Sequence, residues 1–124
     1  DVTSLRNPVA KDTYTYDNYV MSVTVKDGTV YAPKGSDGLD IFRLGTDGNL
    51  KLLTTYPGNA AKVEIYEDKA YVLGEIGVLD ISDPEKPKQT GYIQTNGVPE
   101  SIKVSDGYMY IADGDAGLSI IKLG

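Results

Sequence analysis

A repeat of about 40 residues governs the chain. Tyr31, Tyr71 and Tyr110 each sit in the same local pattern, at spacings of 40 and 39 residues. The outer two copies align over ten positions at a constant offset of 79, pairing Tyr31 with Tyr110, Gly35 with Gly114, Gly38 with Gly117 and Leu39 with Leu118. The flanks follow. Before each tyrosine lies a short alternating segment, Val23-Thr24-Val25, Val63-Glu64-Ile65 or Ile102-Lys103-Val104, and then a turn at Asp27-Gly28, Glu67-Asp68 or Asp106-Gly107. After it comes a second apolar run, residues 39–44, 78–81 and 118–123, and in the first two copies a fourth segment, residues 50–56 and 88–95.

These pieces are rich in Val, Ile, Tyr and Thr and are bounded by Gly, Asp, Asn or Pro, which is the chemistry of strands and hairpin turns. Asp-Gly suits a two-residue hairpin because both central positions need positive φ. No window carries apolar residues at helical spacing over ten positions. Four antiparallel strands repeated every 40 residues make a propeller blade. The expected fold is therefore an all-β β-propeller segment with three four-stranded antiparallel blades. Blade 1 spans 18–56, blade 2 spans 57–95, and blade 3 spans 96–124 and lacks its outer strand. In the middle copy Tyr71 stands 9 residues before Asp80, whereas Tyr31 and Tyr110 stand 12 before Arg43 and Lys122. The loop between its second and third strands is thus three residues shorter and is expected to be recessed.

Tyr110-Ile111-Ala112-Asp113-Gly114-Asp115-Ala116-Gly117-Leu118-Ser119-Ile120-Ile121 resembles the core of the LVIVD repeat. Val78-Leu79-Asp80-Ile81-Ser82-Asp83-Pro84-Glu85-Lys86-Pro87 is similar to its following turn and proline-containing approach to the outer strand. The resemblance is looser in the first copy, where Gly45-Thr46-Asp47-Gly48-Asn49 replaces the Ser-Asp-Pro turn. It implies a β-propeller protein of bacteria or archaea, often secreted or at the cell surface. It implies no defined activity and supplies no catalytic residues.

Propellers close with ~4–8 blades, and a blade needs a neighbour on each face. Three blades leave two apolar faces open. Residues 1–10 align with 80–89 at the same offset of 79, so residues 1–17 read as an outer strand with no blade before it. The strand missing at one end is the surplus strand at the other. The expectation is a homodimer forming a six-bladed ring, in which residues 1–17 of each chain complete the partner's last blade by strand exchange. The absence of Met before Asp1 reads as a processed or trimmed product, and an excised or engineered piece of a longer propeller is the competing reading.

Composition bounds the function. The net charge of −6 disfavours nucleic acid and anionic membranes. No apolar run approaches the ~20 residues of a membrane helix, so no membrane insertion is expected. His and Cys are absent, which removes imidazole bases, thiol nucleophiles, zinc fingers and disulfides. No glycine-rich phosphate loop and no usable glycosylation sequon occurs.

No cofactor and no metal is expected. Asp113-Gly114-Asp115 opens like a calcium loop, but the twelfth position, where a Glu is needed, is Gly124, so a hairpin loop is the plainer reading. Ser119 and Lys122 stand three apart on a strand and so point to opposite faces, unlike a Ser-x-x-Lys pair on a helix. Tyr31, Tyr71 and Tyr110 are assigned to packing between blades rather than to sugar stacking. Tyr14, Tyr16, Tyr19 and Tyr56 lie near the connections and are likewise assigned to packing.

The ligand-facing end of a propeller carries the segments that link blades and the loops between second and third strands. Its candidates here are Asn18, Tyr19, Asn59, Asn96, Glu100, Asp37, Asp113 and Asp115, for a protein or glycan ligand. For the three asparagines a turn role is favoured over ligand binding. The leading expectation is a non-catalytic structural or binding module that self-assembles. The alternatives are a glycan-binding surface protein and an enzyme using carboxylates of raised pKa, with Glu100 and Asp17 the best-placed acids.

Overall fold

The computed structural model describes residues 20, 22–95 and 97–123. The expected outer strand at 1–17, with Asn18, Tyr19 and Asn96, lies outside the described residues. Among the described residues eleven strands form three antiparallel sheets. The first runs in the order β1 (Thr24–Lys26), β2 (Thr29–Pro33), β3 (Leu39–Leu44), β4 (Leu50–Tyr56). The second runs β5 (Ala60–Tyr66), β6 (Lys69–Gly74), β7 (Gly77–Asp80), β8 (Lys88–Gly91). The third has three strands, β9 (Ser101–Ser105), β10 (Tyr108–Ala112) and β11 (Leu118–Lys122). A 3-10 turn, Gly114–Ala116, joins β10 to β11. Among the described residues no helix is long and apolar enough to cross a membrane.

The repeat is visible bond by bond. Asp27, Glu67 and Asp106 open the three first hairpins, all left-handed at φ 51°, 54° and 52°. The N–H that ends each third strand reaches back to the hairpin: Leu44 to the Gly28 carbonyl, Ile81 to Asp68 and Leu123 to Gly107, at 2.7–2.8 Å. The second-to-third-strand loops of the outer sheets are closed alike, by Lys34 N–H on the Gly38 carbonyl (2.8 Å) and Asp113 N–H on Gly117 (2.7 Å). In the middle sheet only Glu75 and Ile76 separate β6 from β7, the expected three-residue shortening. The fourth strand of that sheet departs from expectation. Residues 88–95 are not one strand, because β8 stops at Gly91, where pairing with β7 runs out at Val78.

The sheets stack through two apolar clusters. Tyr31, Leu39 and Ile41 of the first sheet pack on Val63, Ala70, Val72 and Leu79 of the second. Tyr71 and Leu73, on the other side of the second sheet, pack on Ile102, Met109 and Ile111 of the third. Alternation along each strand sends neighbouring residues to opposite faces, so one short strand feeds both clusters.

The end faces differ from the inner ones at equivalent positions. Leu39 and Ile41 are 0% exposed, whereas their third-sheet equivalents Leu118 and Ile120 are 65% and 58% exposed. Val63 and Ile102 are 4% and 5% exposed, whereas their first-sheet equivalent Val23 is 61% exposed. Tyr110 is accordingly only half-buried, while Tyr31 and Tyr71 are buried, so packing between sheets holds for two of the three repeat tyrosines. Tyr56 packs against the first cluster.

Glu67 bears a side chain at a position that favours Gly or Asn. Replacing it by Asn is expected to raise stability by about 0.5–1 kcal/mol, read as a higher urea midpoint with unchanged slope.

Candidate functional site

The described candidates Asn59, Glu100, Asp37, Asp113 and Asp115 lie in the segments that link sheets or in the loops between second and third strands. Glycine geometry shapes these segments. Gly74 closes β6 at φ 130°, and a Cβ there would lie 2.2 Å from the Asn59 carbonyl oxygen. A Cβ on Gly97 would lie 2.0 Å from the Asp113 carbonyl oxygen, so the linker into the third sheet approaches that loop as closely as backbone can.

Asp113 is the anchor of that approach. It is fully buried, and its carboxylate accepts hydrogen bonds from the Thr95 hydroxyl (2.7 Å), the Ser119 hydroxyl (2.9 Å) and the Gly97 N–H (3.2 Å). One buried carboxylate thus ties the linker to both β11 and the loop. The first sheet solves the same problem with exchanged partners. Lys34 occupies the position of Asp113, and Asp40 that of Ser119. The buried Asp40 carboxylate pairs with the Lys34 ammonium at 3.1 Å and accepts from the Thr55 hydroxyl at 2.6 Å. Both carboxylates hold loops in place with donors from their own chain, as buried charges require.

The other acids are dispersed. Asp37 and Asp115 are exposed on the loops of the first and third sheets, and Glu100 is exposed just before β9. Among the described residues no three acidic, His or Cys side chains gather as a metal site.

Asn59 lies elsewhere, on the wall of a cleft of about 810 Å³ between the second and third sheets. Leu73, Ile93, Gln94, Thr95, Val98 and Pro99 also line it, and among the described residues none that lines it is charged. The motif reading singled out Asn59 but not Gln94, Val98 or Pro99; the shortened middle loop was the signal that could have pointed to them. A second cleft, of about 620 Å³ and mostly apolar, is lined by Tyr71, Val78 and Tyr92 on one side and Met109, Ile121 and Leu123 on the other.

Asp80, the aspartate of the Leu79-Asp80-Ile81 run, is a turn-former. Its carboxylate accepts the Ser82 N–H (2.9 Å) and hydroxyl (2.8 Å) and lies 3.5 Å from the Lys69 ammonium. The Ser82 backbone bond chiefly, then its hydroxyl and the Lys69 charge, hold this carboxyl below the usual aspartate range.

Residues 57–95 and 96–122, together more than half of the chain, match the family model for the LVIVD repeat. The chain belongs to that family. No curated protein matches it.

Two outcomes follow from these carboxylates. Asp113→Ala leaves two hydroxyls and an N–H without their acceptor and is expected to cost about 1–3 kcal/mol in denaturant unfolding. Because the Asp80 pKa is depressed on folding, its stabilisation is present above the unfolded aspartate value and is lost as pH falls through the folded one. The stability gap between wild type and Asp80→Ala should therefore be constant at neutral pH and shrink below pH ~4.

Proposed function

We propose that this LVIVD-repeat chain is a non-catalytic assembly module, half of a six-bladed propeller ring completed by a second copy. The contrast between inner and end faces carries the reading. Val23, Val25 and Leu44 on one end and Leu118 and Ile120 on the other are exposed, yet each occupies a repeat position that is covered wherever a neighbouring sheet exists. A surface built to pack in the same way twice within the chain is complementary to its own other end. Each such side chain, once covered, contributes about 1.5–3 kcal/mol, and the ring makes the new contact twice, related by a twofold axis. Six is the multiple of three that falls within the ~4–8 blades of closed propellers.

Two further features support closure. Among the described residues β11 is the outer strand of a three-stranded sheet whose counterparts have four, and no described strand pairs with its outer edge, the place where a fourth strand adds. Residues 1–17 of the partner are the proposed fourth strand, and the apolar cleft lined by Ile121 and Leu123 is a place for its side chains. The loop of the first sheet also pairs with the second sheet, Gly35 and Ala60 exchanging backbone hydrogen bonds at 2.7 and 2.9 Å. Their repeat equivalents are Gly114 and Val20, and Val20 is exposed. In the ring, Gly114 of one chain meets Val20 of the next. The reading assigns no chemistry: the two buried carboxylates are engaged by their own chain, and the remaining candidate acids are dispersed.

Light scattering coupled to size exclusion should give twice the 13.4 kDa chain mass. Ile120→Asp should yield a single-chain mass, as should Val23→Asp on the opposite face. A cooperatively folded wild-type protein at the mass of one chain would overturn the proposal.

A further inference from the structure

We infer that the cleft between the second and third sheets is a binding site for an extended, uncharged peptide segment, which adds as a strand beside residues 93–95. The site is formed within one chain and does not depend on ring closure. Three observations converge on it. First, the junction of the first two sheets is roofed by the Gly35–Ala60 bridge, but the middle loop is three residues too short to make the same bridge to the third sheet. The cleft of about 810 Å³ lies where that roof is missing, and its volume falls in the range of ligand pockets.

Second, the position equivalent to Ala60 is Pro99. Proline has no N–H to offer, so the third sheet leaves no donor stranded where the bridge is absent. Third, the ladder between the third and fourth strands stops early in the middle sheet. In the first sheet it runs on past Ile41–Thr54 to Asp40–Thr55 and Leu39–Tyr56, whereas in the second it ends at the equivalent pair, Val78–Gly91. Gln94 and Thr95 lie beyond that end, and among the described residues the backbones of Ile93 and Gln94 bond to no other backbone.

The result is a short run of backbone donors and acceptors, without a backbone partner among the described residues, on the wall of a cleft. Chains add to such an edge through main-chain hydrogen bonds, with side-chain pockets supplying selectivity. Leu73, Ile93, Val98 and Pro99 offer apolar contact, and the Asn59 and Gln94 amides offer both donors and acceptors. With no charge among the described lining residues, a charged side chain entering the cleft would lose hydration without gaining a partner from them. The segment that fits is therefore apolar or neutral.

The test uses the full chain and a pool of random seven-residue peptides with blocked ends, alongside the neutral glycans cellohexaose and maltohexaose. Peptides free of charge at their central positions should be enriched. Gln94→Pro, which deletes one backbone donor, should weaken their binding about tenfold. Val98→Trp, at an exposed rim position, should weaken it at least as much. Retention of the wild-type mass and unfolding midpoint shows that each variant is folded; a variant that loses them is replaced by Gln94→Ala with backbone amide shifts of residues 93–95 as the readout. No enrichment, equal binding to the variants, or binding of the glycans alone would overturn the inference. Since particle mass is measured separately, its failure is distinct from failure of ring assembly.

Discussion

A sheet of four short strands has two faces and cannot cover either of them itself. Everything else in this molecule answers that constraint. The middle sheet is satisfied on both sides: Val72 and Leu79 press on the first sheet, Tyr71 and Leu73 on the third. Among the described residues each outer sheet is covered on one side only. Its strands are too short to curl over themselves, and alternation assigns about half of their side chains to the open face. Leu118 and Ile120 are exposed for the same reason that Leu39 and Ile41 are buried.

Two buried carboxylates serve this stacking. Asp113 and Asp40 lie deep between strand ends and linker, and their partners are hydroxyls, an ammonium and an N–H of the same chain. The exchange of Lys34 and Asp40 for Asp113 and Ser119 shows that the site requires a buried anion with matched donors, not a particular residue at a particular place. The middle sheet has glycine at the corresponding strand ends, Gly74 and Gly77, and closes its two-residue turn instead through backbone approach. That local economy leaves the neighbouring junction open beside Asn59 and Gln94.

Much of the fold was legible in the residues. The tyrosine spacing, the Asp-Gly turns and the bounds of β3 and β4 all agree with the sequence reading, because hairpins and alternation are local properties. The end of β8 was not legible. Residues 92–95 have strand composition, but a strand exists only where its neighbour continues, and β7 begins too late to pair with them. The candidate residues separated in the same way. Asn59 reached a cleft and Asp113 a buried anchor, while Asp37, Asp115 and Glu100 stayed at the surface.

The repeat by itself determined the unit, its number and the shortened middle loop, since each is written in the spacing of turn and apolar residues. Tertiary structure decided what that shortening does. Whether a loop bridges to the next sheet, whether an edge residue finds a ladder partner and whether a carboxylate is buried are all distances between different repeats, and no pattern along the chain encodes them before the sheets are stacked.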